Sequence, residues 1–250
     1  MRPARAPSAL RRSRTVGPRD GTVWLFDLDN TLHDASRSIF RLIDQRMGEA
    51  VATTLGLEPR QADELRRRYW TRYGATAIGM VRHHGVDMHR FLALSHDFEI
   101  APLVHGETGL ARRLRRLPGR KIVLTNAPTH YAREVLRTLG ILHEFDGLWG
   151  IEQMDLQGRH RPKPSRALMR QIIARLRVPA GRVVLVEDTL ANLKSAHQVG
   201  MRTAYVYHPG TPFSTLRHGR DLYVGRRVNA LSPLLTWARD GRIPGSRGRA

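Results

Sequence analysis

The 250-residue chain contains no cysteine. Disulfides, thiolate metal sites and a cysteine nucleophile are therefore excluded, and the expected setting is a reducing cytoplasm. No uninterrupted apolar run approaches the roughly 18 residues a membrane span requires, so no membrane partner is expected. The first residues, Met1 to Arg19, lack the apolar stretch of a secretory signal. Lysine is nearly missing as well: Lys121, Lys163 and Lys194 are the only three, so arginine makes up the rest of the 42 basic side chains.

What is present is ordinary in bulk and unusual in sign. Hydrophobic residues make up 41% and charged residues 26%, values of a globular protein with a sizeable core rather than of a disordered chain. The net charge is +20. Such an excess suggests, as one reading, a basic nucleic-acid-binding protein without catalytic function. Two features weigh against a nucleic-acid partner. The near-exclusive use of arginine matches codon bias, and much of the charge sits at the ends. Residues 1–20 carry six Arg and one Asp, residues 239–250 four Arg and one Asp, and the remainder is dispersed.

Five short apolar runs read as buried strands: 22–26, 121–124, 147–149, 183–186 and 203–207. Helical patterns separate the later ones, over 130–139, 165–176 and 190–199, with Gly140 and Gly200 placed as C-terminal caps. Alternation of this kind implies an α/β fold, a Rossmann-like doubly wound parallel sheet. Residues 34–115 interrupt it with amphipathic stretches at 36–54, 61–73 and 89–94, too long for a simple crossover. The expected division is a basic tail at 1–20, an α/β core at 21–33 and 116–238, a helical insertion at 34–115 and a basic C-terminal tail at 239–250. A last edge strand is expected at 222–224 and a last helix at 231–237. The sequence leaves the oligomeric state open.

Four sites carry potential chemistry, three of them at strand ends. The first strand runs into Asp27-Leu28-Asp29-Asn30-Thr31-Leu32. Two carboxylates there crowd like charge at the ligand-binding edge of an open sheet, which favours a cation or proton between them, although an aspartate in that place also suits a helix cap. The fourth strand ends in Glu187-Asp188-Thr189, a second acidic pair, with Asp188 or Thr189 as a possible cap of the next helix. Hard oxygen ligands without thiols favour Mg²⁺ over Zn²⁺. Thr125-Asn126 follows the second strand, where a hydroxyl and main-chain N–H groups can hold a phosphate oxygen. Lys163 lies between Pro162 and Pro164, which stiffen the backbone on both sides.

In order and spacing these elements resemble the four motifs of the haloacid dehalogenase (HAD) superfamily: the DxDxT of residues 27–31, Thr125, Lys163 and the acidic pair 187–188. The resemblance covers about residues 20–238, and the insertion falls where that superfamily's helical C1 cap lies. It implies a Mg²⁺-dependent phosphatase acting on a small phosphorylated substrate. Asp27 would be the nucleophile and Asp29 the acid and base. Asp27, the Asp29 carbonyl and Asp188 would hold the metal, and Thr125, Asn126 and Lys163 the phosphoryl group. Two departures stand out: Glu187 occupies a position often held by glycine, and Asn192 one often held by a second acid, which leaves both as candidates for an outer role around the metal. The phrases Asp27–His33, Tyr73-Gly74, Phe145–Gly147, Pro162–Ser165 and Glu187–Leu193 are similar to the pyrimidine 5′-nucleotidase-like branch. A nucleoside 5′-monophosphate is accordingly the expected substrate, with a phosphoglycolate or sugar-phosphate phosphatase or mutase as the alternative. His33, Tyr73, His83 and His84, with Arg82, are the candidate specificity residues of the cap.

Overall fold

The computed structural model describes residues 21–208 and 222–245. The tail at 1–20 and the end of the C-terminal tail at 246–250 lie outside them. Among the described residues, eight strands form two sheets: β1 (Val23–Phe26), β2 (Arg120–Leu124), β3 (Gly147–Trp149), β4 (Asp155–Leu156), β5 (Arg159–His160), β6 (Val183–Glu187), β7 (Arg202–Val206) and β8 (Arg226–Val228). The main sheet has six strands in the order β3-β2-β1-β6-β7-β8, every pair parallel. β4 and β5 make a small antiparallel hairpin.

Alternation within the central strands builds both faces. Trp24, Phe26, Val123, Val184 and Val186 point into one apolar cluster, and Val23, Leu25, Ile122, Leu124, Val183 and Leu185 into the other. A strand buried on both faces must be apolar at every position, as β1 is. On the first face pack α5 (Leu110–Arg116), α6 (Thr129–Thr138) and α9 (Leu231–Ala238); on the second, α7 (Arg166–Leu176) and α8 (Leu190–His197). The Trp24 indole donates to the Pro118 carbonyl at 3.0 Å, so this large buried side chain keeps no unpaired N–H. Gly140 and Gly200 adopt φ of 66° and 86° and close α6 and α8. At α6, Gly140 N–H bonds Arg137 O and Ile141 N–H bonds Leu136 O, the paired bonds of a Schellman cap.

The long interruption between β1 and β2 folds mainly as four helices: α1 (Ile39–Leu55), α2 (Pro59–Tyr73), α3 (Thr76–His84) and α4 (Met88–Ser95). Their buried faces share a separate core of Val51, Leu65, Tyr69, Met80, Phe91 and neighbours. Local signals start two of them. Pro59 opens α2, and Asp87 accepts from Arg90 N–H at 2.7 Å to cap α4. α3 is absent from the sequence reading, because Thr76–His84 is short and contains Gly79. Yet Gly79 is what seats it: a β-carbon there would fall 2.1 Å from Tyr69 Cγ on α2. α5 also departs from the expected grouping. It begins within 34–115, but Leu110 and Leu114 pack on the sheet cluster.

At the sheet edge, β8 lies at Arg226–Val228 rather than at 222–224. Two cation–π contacts make arginine acceptable in that strand: Arg226 lies 4.1 Å from the Trp237 ring centre and Arg227 4.0 Å from that of Tyr207. Residues 239–245 touch the core through Ile243, and Arg202 donates to the Pro244 carbonyl at 3.2 Å. No described helix is long and apolar enough to cross a membrane.

Candidate active site

The strand order reverses at β1, which leads through β2 to β3 on one side and meets β6 on the other. In parallel sheets the crevice beyond the strand ends at such a point receives ligands. Asp27 continues β1, its N–H bonding Val186 O at 2.9 Å, and Glu187 closes β6. Adjacent pairing of β1 and β6 therefore brings the two acidic segments together from far apart in sequence.

Lys163 joins them. Its Nζ lies 2.6 Å from Asp27 Oδ1 and 2.7 Å from Glu187 Oε2, and only 2% of this side chain is exposed. Asp188 completes the group: carboxylate oxygens of Asp27, Glu187 and Asp188 all lie within 4.8 Å of one another, and all three residues are buried. Burial, reinforced by the Glu187 charge, pushes the Asp27 carboxyl well above its usual range in spite of Lys163. Burial likewise raises Glu187. Burial and the Asp27 charge raise Asp188 to about 6. For Lys163, burial works against the charge, but Asp27 and Glu187 outweigh it and hold the ammonium more firmly than usual.

Three carboxylates facing one ammonium leave two negative charges without a partner. Buried charge of this kind requires a proton or a cation. The donor set is hard oxygen, and the residues present fit a divalent cation of the Mg²⁺ type. Glu187, a candidate for an outer role, serves Lys163 through Oε2 and Thr189 N–H through Oε1 at 3.2 Å. Thr189 is the residue before α8, but its hydroxyl donates to Asp188 at 3.1 Å and makes no cap bond, so neither expected cap of that helix forms through a side chain. Asn192 is buried in the first turn of α8.

Other expected residues divide into two groups. Thr125 is buried at the end of β2, its Oγ1 accepting from Ala127 N–H at 3.0 Å. Asn126 directs both ends of its side-chain amide to Lys163: Nδ2 donates to the Lys163 carbonyl and Oδ1 accepts from its N–H, each at 3.0 Å. This amide clamp, more than the flanking prolines alone, fixes the lysine's backbone. His33 lies under the first strand's loop instead of on the helical block, buried, with Nε2 2.9 Å from Asp29 Oδ1. That loop is tight: Leu28 O accepts from Leu32 N–H at 2.8 Å, and Asn30 takes φ of 56°, a left-handed conformation asparagine tolerates.

Tyr73, His83 and His84 do cluster on the helical block. Tyr73 Oη is 2.6 Å from His83 Nε2, Tyr69 Oη is 2.8 Å from His84 Nε2, and Arg82 lies 5.5 Å from the Tyr73 ring centre. Gly74, with φ of 79°, connects them to the lysine: a β-carbon there would stand 3.0 Å from the Lys163 carbonyl. One residue of the site had no motif to announce it. Tyr131, fully buried on α6, donates to Asp29 Oδ1 at 2.8 Å. The available signal was chemical: a tyrosine on the apolar face of a helix needs a buried partner for its hydroxyl.

Fold and site together define a doubly wound α/β protein with an acid–lysine centre at its switch point. Residues 23–200 match the family described as haloacid dehalogenase-like hydrolases, and the chain belongs to that family. Solved structures with the same architecture include the HAD phosphatase from Thermococcus onnurineus, 21% identical, TM-score 0.55, covering 86% of this chain and 97% of that one. CbbY from Rhodobacter sphaeroides, solved with phosphate, is 22% identical, TM-score 0.57, with 85% and 96% covered. The L-2-haloacid dehalogenase from Xanthobacter autotrophicus is 17% identical, TM-score 0.54, with 88% and 99% covered. Phosphate metabolism protein 8 of Saccharomyces cerevisiae is 24% identical over 135 residues, which are 50% of this chain and 42% of that protein, so the chain spans less than half of that curated relative. Phosphatase and dehalogenase share this fold, so the reaction is decided by the site.

Proposed function

We propose that the protein is a Mg²⁺-dependent phosphomonoesterase of the C1-capped type working through an aspartyl phosphate on Asp27. The observation that carries this reading is the buried Asp27 carboxylate, bonded to Lys163 and grouped with Asp188 at the mouth of the sheet. An anionic nucleophile meets an anionic phosphate, so the site must supply compensating positive charge, and Lys163 is built in for that purpose. Asp27 attacks phosphorus, and the bond to the substrate's ester oxygen breaks as Asp29 protonates that oxygen. Asp29 then takes a proton from water, whose oxygen attacks the phosphorus of the aspartyl phosphate, so that phosphate leaves and both carboxyl groups return to their starting state. Thr125 Oγ1, the Asn126 main chain and Lys163 grip the phosphoryl oxygens. Asp27, the Asp29 carbonyl and Asp188 are the proposed Mg²⁺ ligands, with Glu187 and Asn192 around them. When bound, the ion offsets charge on the phosphoryl group. The second carboxylate at Asp29 favours phosphoryl transfer over dehalogenation.

The proposed substrate is a nucleoside 5′-monophosphate, as in the pyrimidine 5′-nucleotidase-like branch. Support comes from the Tyr73–Gly74 corner, which sets an aromatic ring and its His83 partner one residue from the contact with Lys163. Residues 34–115 are proposed as the cap, with α1–α4 as its body and the start of α5 packed back on the sheet, and residues 21–33 and 116–238 as the core. The test is phosphate release by the purified full chain with Mg²⁺ from UMP, CMP, AMP, phosphoglycolate and hexose phosphates. Preferred turnover of a nucleotide is expected. Release from phosphoglycolate alone moves the substrate, hexose-phosphate rearrangement without free phosphate makes the protein a mutase, and no release at all overturns the reading. Salt-sensitive nucleic-acid binding without turnover would favour the non-enzymatic alternative.

A further inference from the structure

Asp29 is held by two side chains on a single oxygen. Tyr131 Oη donates to Oδ1 at 2.8 Å, and His33 Nε2 lies 2.9 Å from the same Oδ1. The three come from two places: Asp29 and His33 from the loop after β1, and Tyr131 from the first turn of α6, 102 residues from Asp29. Both donors are buried and packed. The His33 side chain is fully buried, and the buried Tyr131 ring meets buried His96 edge-on at 5.5 Å. Asp29 itself is the open end of the trio, with 18% of its side chain exposed.

We propose that Tyr131 and His33 are positioning residues that anchor Asp29 through Oδ1 and thereby dedicate Oδ2 to the exchange of a proton with the substrate's ester oxygen. This rests on Asp29 acting as the acid. With the carboxylate ionised, Tyr131 and His33 Nε2–H both donate, and Oδ1 is saturated. The proton that Asp29 carries therefore sits on Oδ2; when the phosphorus–oxygen bond breaks, that proton passes to the departing oxygen and Asp29 is left as the carboxylate. An unanchored carboxyl rotates about its terminal torsion and presents the proton in the required direction only part of the time.

Two phosphomonoesters distinguish this role from a purely structural one. An alkyl ester has a poor leaving group that needs the proton, whereas p-nitrophenyl phosphate has a good one that scarcely does. The quantity to compare is kcat/KM, which reports the steps through phosphoryl transfer to Asp27. Tyr131→Phe is expected to lower kcat/KM on the alkyl ester about 10- to 100-fold and on p-nitrophenyl phosphate less than about 3-fold. His33→Leu should show the same inequality, and His33→Gln, which keeps an N–H near the place of Nε2, should restore part of the loss. Equal losses on both substrates, or none on either, overturn the proposal. Should Tyr131→Phe fail to fold, the His33 pair decides by the same criterion. Asp29→Asn run alongside separates the two claims. If its loss depends on the leaving group while those of Tyr131→Phe and His33→Leu do not, only the positioning role fails. If its own loss is independent of the leaving group, Asp29 is not the acid and both claims fall.

Discussion

At the scale of single residues, the site is a balance of buried charge. Lys163 shields Asp27 and Glu187, both buried, so its removal leaves two carboxylates facing each other without compensation. Lys163→Met is expected to abolish phosphate release and to destabilise the metal-free protein by about 3–5 kcal/mol, measured by urea denaturation. A stability equal to wild type would contradict the ion pairs drawn here. Asp27, Glu187 and Asp188 all hold their protons more tightly folded than unfolded. Where that is so the native state binds more protons, and stability falls as pH rises. For Asp188 the window runs from the ordinary 3.8 to about 6. Its share of the lost stability is on the order of 3 kcal/mol at neutral pH. The firmer hold of Lys163 acts in the opposite sense, stabilising throughout this range and fading only at strongly alkaline pH. Metal-free protein should therefore lose melting temperature between those values, and millimolar Mg²⁺ should restore it at pH 7 far more than at pH 4. A Mg²⁺ increment that does not change with pH would count against the carboxylates as its ligands. The acids and Thr125 were legible because each stands at a strand end, where the α/β pattern itself locates ligands, and Lys163 because it is one of three lysines and lies between two prolines just before a helix. Tyr131 and the true place of His33 were not, because their partnership with Asp29 arises only when α6 packs against the loop after β1.

At the scale of elements, periodicity served best where a segment obeys one environment. β1, β2, β6 and β7 are buried on both faces, and their apolar runs mark them within a residue or two. β8 escaped because its arginines are stabilised by ring contacts that no apolar pattern reveals. α3 escaped because its place depends on close approach instead of propensity. Gly79 supplies that approach, with Tyr69 of α2 occupying the space a β-carbon would take. Alanine is the better helix former by nearly 1 kcal/mol. Even so, Gly79→Ala is expected to destabilise the protein by about 1–3 kcal/mol, since the obstructing atoms are Cβ, Cγ and Cδ2 of Tyr69, close to its backbone and unable to swing aside. Chemical denaturation measures it, and a stabilised variant would show that α2 and α3 do not meet in this way.

At the scale of the molecule, a net charge of +20 goes with a small acidic centre. An excess of positive charge draws phosphorylated anions inward, an effect that salt screens within a Debye length of about 10 Å at 0.1 M. Raising salt from about 0.05 to 0.5 M should lower kcat/KM several-fold and leave kcat nearly unchanged. A salt-independent kcat/KM would remove steering from the account and leave the arginines as codon bias alone. Deletion of residues 1–19 should leave activity intact. At the other end, removal from residue 246 onward should be neutral, whereas removal from 239 would strip Ile243 and the bond from Arg202 to Pro244 from the core.

The central claim is that the phosphoryl group passes through Asp27. Rapid acid quench during turnover of the best substrate, followed by peptide mass mapping, tests it directly. A single phosphoryl adduct is expected on the peptide holding Asp27, absent from Asp27→Asn, which should also release phosphate at least about a thousandfold more slowly. An adduct on another residue, or turnover by Asp27→Asn at the wild-type rate, would contradict it.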